Sequence, residues 1–128
     1  EPLVQGLADS SIALHWHGDR IHLPQQATLL ASSLHCPEQV FRIGSHAIGL
    51  QCHLEISDSS LEGWITADHT YVMEALGRRG AEQLRSDWSL LGRSLQSNGR
   101  RFFTTALNQM ESVAMQRLQA GHNNQEKY

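Results

Sequence analysis

The chain has 128 residues, a net charge of -3, 40% apolar residues and 18% charged ones, enough for one domain with a useful core and too apolar for a disordered chain. The faintly acidic balance gives no general case for nucleic acid or an anionic membrane surface as partner. No apolar run approaches the roughly 20 residues of a membrane helix. Cys36 and Cys52 sit in apolar surroundings without framework spacing and read as free thiols in a reducing cytoplasm. The chain opens without an initiator Met or a signal-peptide core and is expected to be a piece of a longer protein.

Residues 1–10 form a polar entry with Pro and Gly. Residues 11–17 alternate, with Ile12, Leu14 and Trp16 on one side, and predict a strand that Gly18 and Asp19 break. A short strand is expected over 20–23, stopped by Pro24, and firmer ones over 27–32, 39–43 and 47–55, the last two joined by a turn at Gly44 and Ser45. Close spacing with no helix between them implies largely antiparallel neighbours. After residue 56 the apolar period becomes helical. One helix is expected from about Ser59 or Ser60 to Gly77, with N-cap candidates over residues 57–59. A second is expected over 80–96 and a third over 100–119, separated by a break at Asn98 and Gly99, with a frayed tail beyond. The chain thus reads as one partial domain over 1–128, strand-rich over 1–56, helical over 57–119 and flexible over 120–128. Strands before helices suit α+β, and an α/β fold cut in half gives the same order.

The chemistry concentrates in residues 47–55. Ala47, Ile48, Leu50 and Cys52 make an apolar run that ends in His53 and Glu55. On a strand, residues two apart share a face, about 6.6 Å apart. A Glu side chain spans that gap, so Glu55 can hold one imidazole nitrogen of His53 and raise the basicity of the other, the construction of a general base. Cys52 points to the opposite face and cannot be the thiol that His53 activates. By pattern alone a satisfied histidine with an incidental acidic neighbour is about as good a reading.

Elsewhere the plain reading is favoured. His15 and His17 share a face, but the spacing offers no third or fourth zinc ligand, so no metal is expected. Cys36 precedes Pro37 and lacks the small flanking residues of a nucleophile turn. Arg78, Arg79, Arg100 and Arg101 suit solvated helix ends, and the Trp and Leu stripes suit core or interface.

Taken in order, residues 15–19 (HWHGD), 23–24 (LP), 29–33 (LLASS), 39–42 (QVFR) and 49–55 (GLQCHLE) resemble the C-terminal half of class I glutamine amidotransferase domains, nearest to the stand-alone, GMP-synthase-like members. The likeness covers residues 1–56 well and the helices loosely. The family's usual GVQFHPE ending has Cys52 here for Phe and Leu54 for Pro. The resemblance implies a three-layer, flavodoxin-like α/β fold. It also implies a Cys-His-Glu triad that hydrolyses glutamine, with His53 as base, Glu55 as its orienting carboxylate, and Trp16, His17, Gly18 and Asp19 at the glutamine pocket. No cofactor is implied. The nucleophile should sit on a Gly-x-Cys-x-Gly turn with its oxyanion hole, and these residues contain none. The chain alone is therefore expected to be inactive and to associate with its missing half or with itself, an ammonia acceptor or synthetase subunit being a further partner. A γ-glutamyl hydrolase or peptidase, and a catalytically dead interaction module, are the alternatives.

Overall fold

A computed structural model describes residues 1–5, 7 and 11–125, the side chains of 121–125 excepted. After a turn of 3-10 helix at Pro2–Val4, three strands follow, β1 (Ala27–Ala31), β2 (Val40–Ile43) and β3 (Ala47–Leu50). They form an antiparallel sheet in the order β1-β2-β3, so β1 and β3 are its edges. The β2–β3 hairpin turns at Gly44, whose φ of 56° favours glycine. Helices α1 (Asp58–Ala67), α2 (His69–Leu76) and α3 (Gly80–Gln125) complete the described chain. Mixed sheet and helix, with antiparallel neighbours, agree with the sequence reading.

Several expectations need correction. Residues 11–17 are extended but not a strand: among the described residues only Leu14 finds a ladder partner, His53. Their alternation reflects packing, since Ile12, Leu14 and Trp16 lie against a cluster built from Ile56, Leu61, Ile65 and Leu95. Residues 20–23 form no strand either; Arg20 forks onto Glu38 at 2.7 and 2.8 Å, and the Ile21 N–H goes to the Gln51 side chain. The predicted first helix is two helices. Ser57 caps α1, its hydroxyl accepting from the Ser60 N–H, and Gly77 at φ 78° ends α2 as expected. Between them the chain bends at Asp68, whose carboxylate accepts the Trp16 indole N–H at 3.0 Å.

The expected break at Asn98 and Gly99 does not occur: α3 runs unbroken through 46 residues and takes in 121–125 of the expected tail, while 126–128 lie outside the described residues. Leu95, Gly99, Phe102 and Ala106 fall on one face at spacings of four, three and four. Leu95 belongs to the cluster against α1, and Phe102 and Ala106 to a second one with Leu3, Val40, Cys52 and Leu54 beneath the sheet. Gly99 lies between the two clusters because a Cβ there would overlap the carbonyl oxygen of Leu54. The glycine serves a close approach, which sequence alone cannot distinguish from a break.

Candidate functional site

The strand expected over 47–55 ends at Leu50; the chain then bends through Gln51 and Cys52 and pairs once more at His53. There the His53 N–H donates to the Leu14 carbonyl at 2.8 Å and the Leu14 N–H returns to the His53 carbonyl at 3.1 Å. This reciprocal pair fixes the backbone from which the imidazole projects.

His53 Nδ1 lies 2.7 Å from Glu55 Oε1. The other carboxylate oxygen accepts the Leu54 N–H at 3.0 Å. Burial pushes the Glu55 carboxyl up, but the hydrogen bonds from His53 and the backbone, with the imidazole's charge, outweigh it and hold the group below the usual carboxylate range. A carboxylate at Nδ1 accepts the proton there, which leaves the Nε2 lone pair as the basic position. With 28% of the His53 side chain exposed, that position is within reach of a reactant. Against the ring stands Trp64 of α1, with centroids 4.8 Å apart and planes at 81°.

Cys52 faces the other way, its thiol buried and directed at the Gln39 carbonyl. Burial pushes this thiol up to about 11, with the Glu55 charge adding to the effect and a backbone hydrogen bond opposing it. It is not a nucleophile at neutral pH. Cys36 is also buried and free, with its sulfur 3.6 Å from Gln51 Oε1.

A cavity of about 620 Å³ is walled by His15, His17, Gly18, Asp19 and Arg20 on one side and by residues 33–36 on the other; neither His53 nor Glu55 lines it, but His15 of its wall follows Leu14, to which the His53 backbone is bonded. Burial lowers the His15 pKa, and the neighbouring His17 and His53 lower it further. Of the residues singled out from the sequence, His17, Gly18 and Asp19 line the cavity, while His53 and Glu55 pair with each other outside it. Trp16 does neither. Its indole turns away to Asp68 and packs on Trp64 and Tyr71 at 5.6 and 6.1 Å, so its side chain does not reach the cavity.

Two contributors escaped the sequence reading. Gln51 donates from Nε2 to the Asp19 carbonyl at 2.5 Å, while Oε1 accepts the Ile21 N–H at 3.3 Å. One buried amide thereby holds the cavity loop to the end of β3. Its signal was available: Gln51, His53 and Glu55 recur at intervals of two. Trp64 had no such signal, being one apolar residue in a helical stripe. His15 Nδ1 and His17 Nε2 approach to 3.4 Å, but among the described residues no three metal-ligating side chains converge. Also among them, no helix is long and apolar enough to cross a membrane.

No protein-family model matches the chain. Over 78 residues it is 36% identical to YfeJ of Salmonella typhimurium, a glutamine amidotransferase-like protein. The chain is similar to that protein. The match takes in 61% of this chain and 33% of the relative, so the chain spans about a third of the relative's length. The likeness reached from short motifs is thus supported at the level of a glutamine amidotransferase-like sequence.

Proposed function

We propose that these residues carry the proton-handling half of a glutamine amidotransferase site of the stand-alone class I kind, in a three-layer, flavodoxin-like domain. The rest of that domain and the cysteine nucleophile lie outside them. One observation carries this: His53 and Glu55 are joined at 2.7 Å, with Nε2 left over, and the His53 backbone is bonded to Leu14, the neighbour of His15 in the wall of a cavity of about 620 Å³. The similarity to a glutamine amidotransferase-like protein supplies the substrate class.

In the complete site, His53 Nε2 takes the proton of the thiol as sulfur attacks the glutamine carboxamide carbon. It returns that proton to the departing nitrogen, and ammonia leaves. Water then attacks the γ-glutamyl thioester, giving its proton to Nε2, and glutamate leaves as the thiol is restored. Glu55 stays ionised and keeps the imidazole in one tautomer. His17, Gly18 and Asp19 present the cavity wall to glutamine. Trp16 acts on it indirectly, by pinning their loop to the α1–α2 corner. Thiol, imidazole, carboxylate and water together complete this half-reaction without a cofactor. The rest of the domain, or a second copy, would cover exposed apolar side chains such as Leu107 and Leu118, 60% and 61% accessible. Ammonia would pass to an acceptor or synthetase subunit. Free, buried thiols suit a cytoplasmic setting.

The test is ammonia release from glutamine by the intact parent protein and by the 128-residue chain. The parent is expected to be active, to lose activity on His53→Ala, and to prefer glutamine over γ-glutamyl peptides; the chain alone is expected to release none. Activity in the isolated chain, or a parent indifferent to His53→Ala, would overturn the proposal. A preference for γ-glutamyl peptides would replace the substrate.

A further inference from the structure

We infer that Trp64 is a positioning residue for His53, an assignment that rests on His53 being the base. One hydrogen bond cannot immobilise an imidazole. Glu55 fixes Nδ1, but the ring remains free to swing about the line joining Nδ1 to Oε1. Glu55 is itself anchored through one backbone N–H, that of Leu54, with half of its side chain exposed. A second contact is needed to aim Nε2, and Trp64 supplies it, its ring nearly perpendicular to the imidazole at 4.8 Å.

Trp64 is itself braced. It sits on α1 four residues before Asp68, so the two share a helix face. Trp16 lies across both, its ring 5.6 Å from Trp64 and its indole N–H bonded to the Asp68 carboxylate at 3.0 Å. The brace begins near its target, because α1 is capped at Ser57, only two residues after Glu55. The same Trp16 lies between His15 and His17 of the cavity wall, so one aromatic stack sets both the base and the loop it must face. An edge-to-face contact is the ordinary preference of packed rings; what it adds here is a fixed direction for a planar base, and small errors in such aim are costly to a proton transfer.

The experiment reads the imidazole directly, in the full 128-residue chain, by nitrogen-15 NMR. Unaltered, His53 should show a single Nδ1–H tautomer at neutral pH and proton–proton Overhauser contacts to the Trp64 indole; absence of those contacts overturns the inference without any variant. Trp64→Leu should keep that tautomer, which Glu55 sets, but raise the mobility of the His53 ring in relaxation measurements, and Trp64→Phe should restore its rigidity. A Trp64→Leu chain with native circular dichroism and unchanged His53 ring relaxation also overturns it. In the parent protein, Trp64→Leu is expected to lower kcat about tenfold with KM almost unchanged. If the NMR result holds and the parent releases no ammonia, the proposed function fails and the positioning role stands. If the parent is active and Trp64→Leu leaves kcat intact, the reverse is true.

Discussion

Gly99, in the middle of a 46-residue helix, meets the carbonyl oxygen of Leu54 so closely that no Cβ fits between them. Leu54 stands between His53 and Glu55, so the contact seats α3 directly behind the paired imidazole and carboxylate.

Gly99→Ala should therefore destabilise the chain although it improves helix propensity. Propensity favours Ala by about 1 kcal/mol. A main-chain carbonyl cannot swing aside as a side chain can, and the overlap outweighs that gain, leaving a net loss of about 2 kcal/mol. Urea unfolding measures it as a lower midpoint at unchanged slope; an equal or higher midpoint contradicts the packing described.

Gln51→Glu replaces a buried donor by a carboxylate facing the Asp19 carbonyl oxygen. At pH 7 the expected loss is about 2 kcal/mol. Burial beside that oxygen raises the introduced carboxyl's folded pKa above its unfolded value, so the penalty belongs to the ionised form and shrinks as the pH falls. Unfolding midpoints relative to the unaltered chain, compared at pH 7 and pH 5, give the sign. A deficit that widens on acidification would contradict it.

Acid should weaken the unaltered chain in two stages. The His15 pKa is lowered on folding, so its contribution is present above the unfolded value of 6.5 and lost as the pH drops through and below it. Glu55 is lowered too, so its contribution is present above 4.5 and is lost as the pH falls through its depressed folded pKa. His15→Gln should flatten the first stage and Glu55→Gln the second, read as unfolding midpoint against pH. Profiles parallel to that of the unaltered chain would rule out these assignments.

A thiol raised to about 11 from an ordinary 9.0 has about a hundredfold less thiolate at pH 8. In a Cys36→Ser chain, Cys52 should react with dithio-bis-nitrobenzoate at least that much more slowly when folded than when unfolded in urea. Comparable rates would place Cys52 outside the core.

The sequence made local chemistry legible and left long-range causes hidden. The spacing of His53 and Glu55 located the site, because a hydrogen bond between residues two apart is a property of one short segment. The Gly44 turn, the Ser57 cap and the Gly77 stop were legible for the same reason. Asn98 and Gly99 misled because the reason for glycine there lies 45 positions away, at Leu54. Residues 11–17 misled because alternation reports which side is packed and says nothing about whether a neighbouring ladder exists. Trp16 was placed at the cavity with its sequence neighbours, yet its indole answers to Asp68, 52 residues on.

The exchange of hydrogen bonds between Leu14 and His53 has a further consequence. Each amide is closed by the other residue's carbonyl, so neither can open to solvent while its counterpart stays shut. Their two backbone protons form a single latch, and in deuterium they should exchange together, at a rate that reports how often the segment bearing His53 parts from residues 11–17.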